Sequence, residues 1–136
     1  MTPKRKKKAK LTALKKKLWD IVSRIKRQLY ADHRGMVSCV TCGEQHPWKE
    51  MQAAHYVEKA KGLSVYFEWT NIHPACPTCN VFKKEEHKRK YSLWMCDTYG
   101  RGEVDRLEAL AHTQLKITRV EYEEMIEFFS QCEKEL

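Results

Sequence analysis

The 136-residue sequence predicts a small α+β fold, and three observations carry that prediction. Two Cys-x2-Cys pairs, Cys39/Cys42 and Cys76/Cys79, stand 33 residues apart. Residues with high β preference lie between them, and stretches with apolar residues at three- and four-residue steps flank them on both sides. Each two-residue spacer lets a tight turn aim both sulfurs at one ion, so the two pairs read as four ligands of one tetrahedral, structural Zn2+. The separation exceeds that of an ordinary zinc ribbon and has room for a β-hairpin. A chain this short buries only a modest core, which a metal clip would reinforce.

Residues 1–34 form a basic arm and an amphipathic helix. Lys4, Arg5, Lys6, Lys7, Lys8 and Lys10 are a like-charge block, expected to stay disordered without a partner. Leu11, Leu14, Leu18, Ile21, Val22, Ile25 and Leu29 then mark one helical face, with Lys15, Lys16, Lys17, Arg24, Lys26 and Arg27 on the remainder. Gly35 is a natural stop. Residues 35–99 form the zinc-stapled core. It has a strand over 36–40, a knuckle turn at Cys42-Gly43 and a loop around Pro47 and Trp48. Hairpin strands follow over 51–57 and 65–72, the second ended by Pro74. A helix then runs from Asn80 to about Tyr99, broken by Gly100 and Gly102. Residues 100–136 form a helical tail. One helix spans 103–112, and another starts at the capping-box pattern Thr118-Arg119-Val120-Glu121 and runs to about residue 134. The apolar stripes of the first and last helices need covering, by the body or by a second copy in a homodimer.

Charge is uneven. Residues 1–34 hold 13 Lys/Arg against two acids, whereas residues 103–136 hold four against nine. A cationic arm on a near-neutral body is the footprint of a phosphate-backbone binder, with DNA the expected partner. Lys15, Lys16, Lys83, Lys84, Lys88 and Arg89 extend the set of candidate DNA contacts. No apolar run approaches the roughly 20 residues of a membrane span. Six cysteines without a signal-peptide pattern point to a reducing cytoplasm, where thiols bind metal.

Hydrolysing a phosphodiester needs an activated water, a cation on the phosphate and help for the leaving oxygen. A hairpin followed by a helix can supply these parts, and His55, Asn71 and Asn80 fall along it in that order, Asn80 directly after the last thiolate. This order resembles the HNH (ββα-metal, His-Me finger) endonucleases in their His-Asn-Asn form. More closely, Trp48-Lys49-Glu50-Met51, Ala54-His55-Tyr56, the run Asn71-Ile72-His73-Pro74-Ala75-Cys76-Pro77-Thr78-Cys79-Asn80, Tyr99-Gly100 and Thr118-Arg119 resemble the phage NinG family, also called Rap in lambda-like phages. The resemblance covers most of the chain.

The resemblance implies a phage recombination nuclease in the host cytoplasm, acting on branched DNA such as D-loops and Holliday junctions. It also implies a catalytic Mg2+ or Mn2+. His55 would be the general base, Asn71 the brace of the hairpin, Asn80 a catalytic-metal ligand, and Cys39, Cys42, Cys76 and Cys79 the zinc site. Two positions depart from the pattern. Ala54 stands where many HNH enzymes place an Asp or His ligand, and Gln52 stands where the NinG family tends to have Asp. His73 is the first substitute ligand, ahead of Glu58, Glu85 and His87. The alternative is a non-catalytic zinc module that recognises branched DNA, with an RNA-associated zinc protein as a weaker third reading.

Overall fold

A computed structural model describes residues 10–58 and 61–136. The proposed contacts Lys4, Arg5, Lys6, Lys7 and Lys8 lie outside the described residues. Helix α1 (Leu11–Leu29) buries Leu14, Leu18, Ile21, Val22 and Ile25, the predicted stripe, while Leu11 and Leu29 at its ends remain exposed. It stops before Gly35 because Asp32 takes over the backbone. The Asp32 carboxylate accepts the N–H groups of Arg34 (2.9 Å) and Met36 (3.0 Å), and Gly35 completes the turn at φ +77°.

Strand β1 (Met36–Ser38) pairs antiparallel with β2 (Gln45–Pro47), Val37 opposite His46. The first cysteine pair sits at the tip of this hairpin, where Gly43, at φ +75°, donates to the Cys39 carbonyl (2.9 Å). The sequence reading has a loop where β2 forms, since three residues are too few to show alternation.

Strand β3 (Gln52–His55) pairs antiparallel with β4 (Ile72–Ala75) in the register Gln52–Ala75, Ala54–His73 and His55–Ile72. The predicted return strand over 65–72 is therefore displaced. Its first part is a helical turn, α2 (Leu63–Tyr66), followed by a 3-10 turn at Trp69–Asn71. The β-preferring side chains there serve separate neighbours, which a flat strand would not allow. Tyr66 lies against His55 and Trp19, Phe67 against Tyr122, and Trp69 stacks on Phe129. Strand propensity yields to such packing. Pro74 lies inside β4 rather than ending the strand. Its carbonyl accepts the Val40 N–H (3.1 Å), so its nitrogen also faces away from β3 and the ladder loses no bond.

Helix α3 (Lys84–Tyr99) is separated from α4 (Arg101–Leu110) by Gly100 at φ +87°. Gly102 falls in the first turn of α4 and does not interrupt it. The predicted helix start at Asn80 is a π-type turn over Thr78–Phe82. Helix α5 (Arg119–Lys134) opens with the capping box: Thr118 Oγ1 accepts the Glu121 N–H (3.2 Å) and the Glu121 carboxylate accepts the Thr118 N–H (3.1 Å).

The β3–β4 sheet lies between two cores. Ile72 joins Leu14, Leu18, Val22, Ile117 and Tyr122 on the α1–α5 side. Ala54 and Ala75 join Val37, Cys39, Tyr91, Met95, Val104 and Leu107 on the α3–α4 side. The α1 stripe is thus covered within one chain, reinforced by a two-point contact from Arg24 to Glu133 (2.7 and 3.1 Å). Among the described residues no helix is long and apolar enough to cross a membrane.

Candidate metal centre and adjoining cleft

The β1–β2 tip presents Cys39 and Cys42, the end of β4 leads into Cys76, and the π-type turn holds Cys79. All four sulfurs lie within 4.8 Å of one another. Cys42 Sγ and Cys76 Sγ are 3.8 Å apart. A tetrahedral zinc with Zn–S of about 2.3 Å requires S···S edges of about 3.8 Å, so the donor set fits the ion. The same distance excludes a disulfide, whose S–S length is about 2.05 Å. Three of the four residues are buried.

The protonation pattern also suits a cation. Burial pushes the Cys39 thiol up. The N–H groups of Cys42, Cys76 and Thr41, with the Thr41 hydroxyl, outweigh it and bring the thiol down to about 6. Burial raises Cys42 to about 12, helped by the sulfurs of Cys79 and Cys39, and burial also raises Cys76. One thiolate forms readily, and Cys42 and Cys76 need positive charge beside them to lose their protons.

Beside this centre runs a cleft of about 740 Å³ between α1, β3 and α3. Its lining includes Trp19, Arg27, Gln52, His55, Glu58, Asn80, Lys84, His87 and Lys88. The His55 ring stacks on Trp19 (centroids 4.6 Å, 18°), and its Nε2 lies 2.9 Å from the Tyr66 carbonyl. A carbonyl only accepts, so Nε2 carries the proton, and in the neutral ring Nδ1 is the basic nitrogen.

Asn71 is fully buried. Its Oδ1 accepts the Val57 N–H (2.7 Å), and its Nδ2 donates to the carbonyls of Val57 (3.0 Å) and Val65 (2.9 Å). It thereby ties the exit of β3 to α2, the segment whose Tyr66 carbonyl holds His55. Asn80 Nδ2 donates to Gln52 Oε1 (2.7 Å), joining the π-type turn to β3. Ala54 is buried against α3, and its carbonyl accepts the Tyr91 hydroxyl (2.9 Å).

His73 is turned away from the cleft, which corrects its assignment as a substitute ligand. With Asn71 on the 3-10 turn rather than on a strand, the two residues do not share a face. His73 is 0% exposed. Since Tyr91 gives its proton to Ala54, His73 Nδ1 donates to the Tyr91 oxygen (2.8 Å). Its Nε2 accepts from the Tyr99 hydroxyl (2.8 Å). Both nitrogens are engaged, and burial, with Lys26 nearby, lowers its pKa to about 3.

His87 is better placed than its low ranking in the sequence implies. It lines the cleft and is 8% exposed; its Nδ1 meets Thr41 Oγ1 (3.2 Å), and its Nε2 has no protein partner among the described residues. Thr41 also contacts Cys39 Sγ (3.2 Å), linking His87 to the thiolate cluster. Spacing from Asn80 could not reveal this, because the intervening π-type turn is not α-helical.

Of the candidate cations, Lys84 and Lys88 line the cleft, and Lys83 and Arg89 are exposed beside it. Lys15 covers the Tyr66 ring (4.2 Å), whereas Lys16 pairs with Asp20 (2.9 Å) on the surface.

A β-hairpin tip and a turn that together bring four thiols to zinc spacing define a small α+β protein with a candidate structural metal centre beside a basic cleft. Residues 2–136 match the family described as Bacteriophage Lambda NinG protein, and the chain belongs to that family. No curated protein and no solved structure matched the chain in the same comparisons.

Proposed function

We propose that this chain is a metal-dependent DNA endonuclease of the HNH type that cuts branched DNA, a D-loop or Holliday junction, during phage recombination. The observation that carries the reading is His55. It is stacked on Trp19 and anchored to the Tyr66 carbonyl at a cleft bordered by Lys84 and Lys88.

In this reading His55 Nδ1 takes a proton from water as that water attacks phosphorus. Asn71 holds the loop that anchors His55, and Asn80 would offer Oδ1 to a catalytic Mg2+ or Mn2+ while its Nδ2 stays on Gln52. That cation, when bound, supplies charge stabilisation to the phosphate and the leaving oxygen. Arg27, Lys84 and Lys88 position the backbone through phosphates, so binding falls steeply with salt. A zinc held by Cys39, Cys42, Cys76 and Cys79 would fasten the turn that carries Asn80 to the β1–β2 tip and take no part in the reaction.

The test is cleavage of labelled linear duplex, D-loop and four-way-junction DNA with Mg2+ or Mn2+, wild type beside His55→Ala. Metal-dependent cutting that disappears in the variant, with DNA binding retained, is the expected result. A second reading, a non-catalytic module that recognises branched DNA, draws support from Ala54 and Gln52, which bring no charged ligand to the cleft. Tight junction binding without cutting under any divalent metal would select it.

A further inference from the structure

The turn that carries Asn80 also presents a side chain that the fold does not use. Phe82 is 81% exposed, more than any other large apolar side chain among the described residues. The π-type turn accounts for this. The Lys83 N–H donates to the Thr78 carbonyl (3.1 Å), an i to i+5 closure one residue wider than an α-helical turn, and the widened turn leaves Val81 and Phe82 facing outward. The mount itself is anchored. Cys79 is buried in the thiolate cluster, the Asn80 N–H donates to the Cys76 carbonyl (3.0 Å), and the Asn80 side chain is tied to Gln52.

Phe82 lies in the chain between cleft-lining Val81 and Lys84. It is followed by a cationic stretch: residues 83–90 hold five Lys/Arg against two Glu, and Glu86 is already paired with Lys90 (2.8 Å). An exposed aromatic ring followed in the chain by exposed lysines suits nucleic acid. The cations take phosphates, and the ring takes the face of a base. A protein-binding patch would show the opposite composition, a wider apolar area with lysine depleted from its centre.

We propose that Phe82 is a stacking wedge that fills the unstacked side of a base at a DNA branch point, a role that rests on the cleft taking branched DNA. Inserting a ring into continuous duplex requires unstacking a base step, which opposes binding. A base at a branch already lacks one stacking neighbour, so the ring completes its stack without that penalty. Phe82 therefore favours branched over continuous DNA, while the lysines bind both.

The test uses the full chain with no added divalent metal, so that cutting does not intervene. The probes are a forked DNA with 2-aminopurine at the branch and a linear duplex of equal length. Wild type should change the 2-aminopurine emission on binding. Phe82→Ala should abolish that change and lose roughly 5- to 150-fold in affinity for the fork, the range one base stacked on an aromatic ring supplies. Its affinity for the duplex should be unchanged, and Phe82→Trp should behave as wild type. Wild-type fork affinity in Phe82→Ala overturns the wedge while leaving the cleft reading intact, as does an equal loss on both DNAs. If wild type binds neither DNA, the wedge and the branched-DNA reading fall together. The exposure of Phe82 keeps the variant's fold out of the comparison.

Discussion

His73 shows how a single buried imidazole can carry a pH dependence. In the folded chain its pKa is lowered to about 3, whereas an unfolded histidine titrates near 6.5. Between these values the unfolded chain binds a proton that the folded chain does not, so stability rises with pH across that window and is lost as pH falls from about 6.5 toward 3. The full span corresponds to roughly 5 kcal/mol. Urea midpoints measured from pH 7 to pH 4 should fall more steeply for wild type than for His73→Phe. Parallel curves would mean that His73 is not the group responsible. The neighbouring residues explain why sequence alone misplaced this side chain. Parity along a strand is informative only when the strand's first residue is known, and Asn71, assigned to the strand, belongs to the turn before it.

Helices α1 and α5 were legible because each states its own limits. The first has an unbroken three/four-residue stripe, and the second begins with Thr118 and Glu121 at capping-box spacing. Thr118→Ala removes an acceptor for the Glu121 N–H and should lower stability by about 1 kcal/mol, read as a drop in the thermal midpoint with unchanged helical content. An unchanged midpoint would mean that the packing of Tyr122 on the α1 side, not the cap, sets the start of α5. The segment over 63–71 was illegible for the converse reason. Val65, Tyr66, Phe67 and Trp69 have strand-like preferences, but the destinations of Tyr66, Phe67 and Trp69 on α1 and α5 are far away in sequence. The π-type turn was equally hidden, since nothing in Thr78-Cys79-Asn80-Val81-Phe82 marks one extra residue per turn.

For the molecule as a whole, the thiolate cluster was the most legible feature, because two-residue spacing between cysteines has few other uses in a basic chain. How the cluster connects the parts was not legible. It joins the β1–β2 tip to the turn that ends in α3, and the α3–α4 core is built on that junction. Cys76→Ser should therefore release zinc and disorder the knuckle, the β3–β4 sheet and the α3 start together. Metal analysis with amide hydrogen exchange would check this. A variant that keeps zinc and full protection would show that three thiols and the two cores suffice.

The thiolate junction also has a topological consequence. Cys39 and Cys79 bracket β2, β3, α2 and β4, so a bound ion converts that stretch of chain into a closed ring. Closing a ring removes disorder from the unfolded ensemble, and ion affinity and folding free energy become one linked quantity. Each tenfold rise in free zinc above the dissociation constant then deepens the native state by about 1.4 kcal/mol. His55, Asn71 and Gln52 all lie on the ring, and Asn80 is fastened directly to its end. A zinc bound there would therefore couple its own supply to the order of the β3 and Asn80 walls of the cleft.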